Sequence, residues 1–266
     1  MNPVLDTAIR AAKAGGDVLV PFWRNLPHGA VEEKQQNDYV TRADRESEAA
    51  ILATIRSRYP EDAFLGEEGG ALPGADGART WIVDPLDGTS NYVTGFPFWC
   101  VSIAARDAEG LAAAVVWDPL RDELYSAARG EGAFRNGQRI SVTSRPSLAG
   151  AFVATGFPFR YRHRIDAYLA LFRAVFLEAR AIRRAGSAAL DLAYVAAGVF
   201  DGFFEFHLSP WDIAAGALLI REAGGEVTDF DGGDRVFERG NVIAGPRGVA
   251  EGMRRVARDI VTEDAI

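Results

Sequence analysis

Hydrophobic positions near the start of the chain recur at helical spacing. Val4, Leu5, Ile9, Ala12, Leu19 and Phe22 predict a first helix over residues 3–23. Asp6, Arg10, Lys13 and Asp17 interrupt its apolar residues, which is an amphipathic pattern and not that of a signal peptide. The polar stretch 28–38 reads as a loop. Asp44 reads as the N-cap of a second helix carrying Ile51, Leu52 and Ile55, and Pro60 stops it. Short apolar runs at 63–65, 81–83, 98–105, 111–117 and 123–128 then predict strands. Asn136-Gly137 between short flanks is the favoured two-residue hairpin turn.

A connector near residue 144 opens the second half. A strand is expected at 152–155, helices at 165–178 and 187–198, and a strand at 200–206. Ser209-Pro210-Trp211-Asp212 is a helix start, with Ser at the N-cap, Pro at the first helical position and an acid at the third. That helix ends at Gly224-Gly225. A strand at 241–245 and a helix at 249–260 complete the chain. Strands come in runs as well as alternating with helices, so a simple doubly wound sheet fits poorly. The pattern divides into an N-terminal half, 1–145, and a C-terminal half, 146–266.

The 266 residues, 48% of them hydrophobic, suffice for one large domain or two tightly packed halves. No run approaches 18 apolar residues, so no membrane span is expected. The net charge of -8 argues against general binding to nucleic acid or anionic membranes. A single cysteine, Cys100, cannot form an internal disulfide, and with no leader pattern the expected location is the cytoplasm.

Candidate chemistry concentrates in WIVDPLDGTSNYVTGFP at 81–97. An apolar strand runs into Asp84, Pro85 stops ladder bonding, and Asp87 follows before Gly88 and Thr89. Two carboxylates at the mouth of a buried strand repel unless something neutralises them, and a hard divalent cation does so economically. A helix beginning at Gly88 would aim free amides at the same spot and favour a phosphate. Each dipeptide alone reads as a turn, but a turn requires neither the strand before it nor the Thr-Ser-Asn after it. Glu67 follows another short strand, and meets Asp84 if that strand lies beside 81–83. Taken singly, Glu67-Glu68 reads as a solvated turn, and Asp44 and Asp212 as helix-capping acids.

WIVDPLDGTSNY at 81–92 is similar to the first signature of the inositol monophosphatase family, and WDIAAGALLIREAGG at 211–225 to its second. GEE at 66–68 and DYVTRAD at 38–44 resemble that family's acidic segments, and GSAALDLAYVAAG at 186–198 resembles its helix between the signatures. The resemblance implies an α+β fold, a layered α/β/α/β/α sandwich of the inositol monophosphatase and fructose-1,6-bisphosphatase type with the site between the halves. It implies two to three Mg²⁺ held by Glu67, Asp84, the Leu86 carbonyl, Asp87 and Asp212. Glu67 and Thr89, with Asp44 bonded to Thr89, would orient the attacking water, and the amides of Gly88 and Thr89 would bind phosphate. Gly186, Ser187, Ala188 and Glu205, with Asp87 and Asp212, would face the substrate. Lithium sensitivity and a homodimer are further expectations.

The implied activity is hydrolysis of a small phosphate monoester, with myo-inositol 1-phosphate first. Fructose 1,6-bisphosphate, histidinol phosphate and adenosine 3′,5′-bisphosphate are the alternatives on the same metal core. Glu205 tilts the choice towards a polyol, because an acid repels a second phosphate. A regulatory or scaffold protein on a phosphatase fold is the alternative of another class, and the intact acid set argues against it. Three further features carry no chemistry at this level. The Asp-x-Asp at 229–231 reads as a turn, His207 as a surface or loop histidine, and the basic RYRHR run at 160–164 as solvated.

Overall fold

The computed structural model describes residues 2–25, 31–35, 38–258 and 260–261, with backbone alone at 31–35, 38–41 and 160. Helix α1 (Pro3–Phe22) leads to the hairpin β1 (Val31–Gln35) and β2 (Asp38–Thr41) and to α2 (Arg42–Arg56). Then follow β3 (Ala63–Gly66), β4 (Gly70–Leu72), β5 (Thr80–Asp87), the short α3 (Thr89–Thr94), β6 (Cys100–Asp107), β7 (Gly110–Asp118), β8 (Glu123–Ala128), β9 (Gly132–Arg135) and β10 (Gln138–Arg139). The second half holds β11 (Phe152–Thr155), a 3-10 turn (Phe159–Arg164), α4 (Ile165–Glu178), β12 (Ala181–Arg183), α5 (Ala188–Ala196) and β13 (Gly202–Glu205). It closes with α6 (Pro210–Glu222), β14 (Glu226–Thr228), α7 (Val236–Arg239), β15 (Val242–Gly245) and α8 (Arg247–Ala257).

Among the described residues these strands form an eight-stranded sheet, in the order β10-β9-β8-β7-β6-β5-β3-β4, and a five-stranded sheet, β12-β11-β13-β15-β14, beside the β1-β2 hairpin. Helices α1 and α2 cover the outer face of the larger sheet, with Ala8, Ala12, Leu19, Ile51 and Ile55 packed on Trp81, Val83 and Val101. Helices α5 and α6 fill the space between the sheets. Helices α4 and α8 cover the outer face of the smaller one, where Tyr168, Leu171 and Met253 meet Val153, Phe204 and Ile243. The result is the α/β/α/β/α order of an α+β layered sandwich.

Burial in the middle layer explains why α6 lacks a polar face. Residues 213–220 are buried in succession, because sheets lie on both sides of the helix. A Cβ at Gly216 would press on Leu192 of α5, so glycine there lets the two helices approach closely.

Several expected elements form with little or no change. The 165–178 helix, the 123–128 strand and the 152–155 strand keep their expected bounds. The Asn136-Gly137 turn takes positive φ at both residues, 49° and 76°, as a primed hairpin turn requires. Other expectations need correction. The 28–38 stretch contains strand β1 and the start of β2, held by backbone pairing without any apolar run, and residues 26–30 and 36–37 lie outside the described residues. Asp44 is not a cap: α2 begins at Arg42, and Asp44 is a buried acid in its first turn. The last helix ends at Ala257 and not at 260.

Candidate active site

Side chains along a regular strand alternate faces, so positions 84 and 87 should point oppositely. They do not, because the β5–β6 pairing slips between Asp84 and Asp87. A local bulge at Pro85-Leu86, where proline has no N–H for the ladder, turns both acids to one side. Asp84 is buried, and its Oδ1 accepts the Leu86 N–H at 2.9 Å. On the neighbouring parallel strand, Glu67 continues β3 by donating its N–H to the Val83 carbonyl at 3.2 Å, which sets it beside Asp84. Asp212 arrives from the first turn of α6, where one carboxylate oxygen accepts the Ser209 N–H at 2.7 Å. Its capping role and its place in the site therefore coexist.

These folding choices bring Asp84, Asp87 and Asp212 together, each offering one oxygen within 4.8 Å of the others. Burial, and then the charges of Glu67, Asp87 and Asp212, push the Asp84 carboxyl well above the usual carboxylate range. Burial also raises Asp87, although hydrogen bonds from Ser187 and Ala189 oppose the rise. Those bonds are short: the Ser187 hydroxyl donates to Asp87 Oδ2 at 2.6 Å and the Ala189 N–H at 2.7 Å. Each is charge-assisted and worth about 1.5–3 kcal/mol. The start of α5 thus positions a carboxylate that belongs to the other sheet.

Thr89 opens α3 directly after Gly88, whose φ of 94° suits glycine and whose absent Cβ would stand 2.9 Å from the Phe98 carbonyl. The Thr89 hydroxyl lies 3.0 Å from the Leu86 carbonyl and 3.3 Å from Asp44 Oδ1. Asn91 ties this turn to the segments before β6 and α5 by donating to the carbonyls of Phe98 at 2.7 Å and Ala185 at 2.9 Å. Glu67 and the three clustered acids border one cleft of about 570 Å³, a volume suited to a small molecule. Glu67, Asp84, Leu86, Asp87, Gly88, Thr89, Gly186, Ser187, Ala188, Glu205 and Asp212 line it, and Asp44 stands behind Thr89. Every site residue expected from the sequence is therefore in or against this cleft.

An acidic, all-oxygen donor set at a cleft floor, with its central carboxyl strained by like charges, fits a hard divalent cation such as Mg²⁺. The chain matches the model of the inositol monophosphatase family over residues 1–262. It belongs to the inositol monophosphatase family. A protein of Pseudomonas aeruginosa called Nus factor SuhB is 49% identical over 249 residues, which is 92% of each chain. The crystal structure of extragenic suppressor protein suhB from Bartonella henselae superposes with a TM-score of 0.93 at 41% identity, covering 97% of this chain and 99% of that one. Inositol monophosphatase from Anabaena gives a TM-score of 0.87 at 37% identity, covering 99% and 98%. The layered fold expected from the sequence is that of the family.

Sequence reasoning left several residues of this cleft unnamed. Asp191, Arg184, Phe157, Phe159 and Tyr161 also line it. Asp191 lies four residues after Ser187, one helical turn along, and that spacing could have singled it out. His207 is a loop histidine as expected, and it also lines the cleft, with its ring tilted against Tyr161 at a centroid distance of 4.1 Å and its pKa lowered by burial. The Asp-x-Asp segment is a turn as expected, with Asp229 Oδ1 accepting the N–H groups of Asp231 and Gly233. Cys100 is a buried core residue.

Proposed function

We propose that the protein is a Mg²⁺-dependent phosphatase of small phosphate monoesters, with myo-inositol 1-phosphate as first substrate. The observation that carries this reading is the meeting of Asp84, Asp87 and Asp212 within 4.8 Å beside the Thr89–Asp44 pair. Glu67, Asp84, Asp87, Asp212 and the Leu86 carbonyl would hold two to three ions. When bound, such ions stabilise charge on a phosphoryl group and its leaving oxygen and make water more acidic. The chain's own groups do the positioning. Thr89 and Glu67 orient the attacking water, and Asp44 holds the Thr89 hydroxyl. Backbone amides of Gly88 and Thr89 face the phosphate. Gly186, Ser187, Ala188 and Glu205 form the leaving-group wall, and Ser187 additionally fixes Asp87.

The name of the curated relative favours a second reading: a regulatory, Nus-factor role on the same fold. The net charge of -8 then suits a protein partner better than bare nucleic acid. A homodimer and a cytoplasmic location accompany both readings. Among the described residues no helix is long and apolar enough to cross a membrane.

A phosphate-release screen with and without Mg²⁺ tests the first reading, using inositol 1-phosphate, fructose 1,6-bisphosphate, histidinol phosphate and adenosine 3′,5′-bisphosphate. Mg²⁺-dependent release fastest from inositol 1-phosphate is expected. Equal rates on all four replace the polyol assignment with a broad phosphatase, and no release from any leaves the regulatory role.

A further inference from the structure

Helix α5 presents two polar side chains to the cleft. Ser187, its N-cap, is committed to Asp87. Asp191, one turn further on, lines the same cleft yet is only 1% exposed. Its Oδ1 has no hydrogen-bond partner among the described residues. Buried polar atoms are nearly always paired, so an orphan acceptor in a cleft floor points to a donor that arrives with a ligand.

The surroundings narrow the kind of donor. Glu205, at the end of β13, lines the same wall. Opposite it the wall is cut back to backbone at Gly156, where a Cβ would overlap the Glu205 carboxylate. Asp87 bounds the side nearest the carboxylate cluster. Arg184 is the cation facing Asp191, but it is exposed at the mouth, with its guanidinium over the rings of Phe159 at 5.0 Å and Phe157 at 5.5 Å. Glu205 and Asp87 surround this carboxyl with negative charge, so the position suits a neutral hydroxyl and not an anion.

We propose that Asp191 is a specificity-determining residue: its carboxyl pairs with a hydroxyl of the leaving group, and with Glu205 it selects uncharged, hydroxyl-rich alcohols over leaving groups that carry a second phosphate. The assignment rests on the phosphatase reading above. Sites built to pair a substrate hydroxyl reject analogues without it, because their own polar groups are then left unmatched.

The test compares inositol 1-phosphate with phenyl phosphate, whose leaving group has no further hydroxyl. Asp191→Leu keeps the approximate shape and removes the acceptor, whereas Asp191→Asn keeps an Oδ1 acceptor. In Mg²⁺, Asp191→Leu is expected to lower the ratio of kcat/KM on inositol 1-phosphate to that on phenyl phosphate by about tenfold or more, through KM. Asp191→Asn is expected to restore that ratio to within about threefold of the wild type, the scale of a weak contact change. Asp191→Ala carries the same comparison should the Leu variant melt well below the wild type. An unmoved ratio overturns the proposal. So does an equal loss on both substrates without rescue by Asn, which marks a structural role. A wild-type protein that releases phosphate from neither substrate defeats the underlying phosphatase reading instead, and the proposal with it.

Discussion

Replacing Asp84 by Asn removes one formal charge from the cleft floor while keeping an oxygen for the Leu86 N–H, 2.9 Å away. Asp84 sits within 4.8 Å of both Asp87 and Asp212, and is buried. At that separation and an effective dielectric constant of about 20, each pair of full charges repels by roughly 3.5 kcal/mol. Proton uptake limits the realised penalty. A carboxyl that ordinarily ionises near 4 can escape by binding a proton, at a cost of about 4 kcal/mol at pH 7. Asp84→Asn should therefore stabilise the Mg²⁺-free protein by up to about 4 kcal/mol, and roughly 2 kcal/mol is a sensible central value. For a chain of this size that corresponds to a Tm higher by about 4–8 °C.

The pH dependence has a definite sign. The folded pKa of Asp84 lies above its unfolded value, so the native state holds the proton more tightly. Its contribution is most favourable below the unfolded pKa and is lost as pH rises through the folded one. The stability gap between variant and wild type should accordingly open between about pH 4 and pH 7 and close at the acid end. Thermal unfolding in chelator across that range measures it. Phosphate release in Mg²⁺ should fall by about 10³ or more, the scale of losing a principal electrostatic group. A variant no more stable than wild type in chelator at pH 7, or one with near-normal turnover at saturating Mg²⁺, refutes the reasoning.

Mg²⁺ at a hundred times its dissociation constant should stabilise the wild type by about 2.7 kcal/mol, and a melting temperature indifferent to Mg²⁺ contradicts the ion site. Ser187→Ala removes the 2.6 Å donor to Asp87 and the cap of α5 together. Denaturant titration should show a loss of about 2–5 kcal/mol, the bond and the cap together, and Mg²⁺ binding should weaken, with the Ala189 N–H left to hold Asp87. Gly156→Ala pushes on the movable end of Glu205 and not on backbone. Its stability should stay within about 1 kcal/mol of wild type while KM for inositol 1-phosphate rises several-fold, and kinetics set beside melting curves decide this.

What the amino-acid order determined by itself was local. Ser209-Pro210 starts α6, Asn136-Gly137 turns a hairpin, and the 165–178 periodicity forms α4 over its full length, because capping, turn geometry and amphipathic spacing act within a few residues. Asp84, Asp87 and Glu67 could be singled out for the same reason, as acids at the ends of apolar strands. The β1–β2 hairpin was not legible, since polar strands held by backbone pairing carry no hydrophobic period. Asp191 was legible only as an acid one helical turn after Ser187, and that this turn faces the cleft was not. Tertiary structure decided the rest. The slipped register of β5 turned two acids to one side, and the parallel β3–β5 pairing delivered Glu67. Packing of α5 and α6 between two sheets carried Asp212 and Ser187 to carboxylates remote in the chain. Such meetings depend on strand pairing and layer packing across the whole fold, and no short window of sequence contains them.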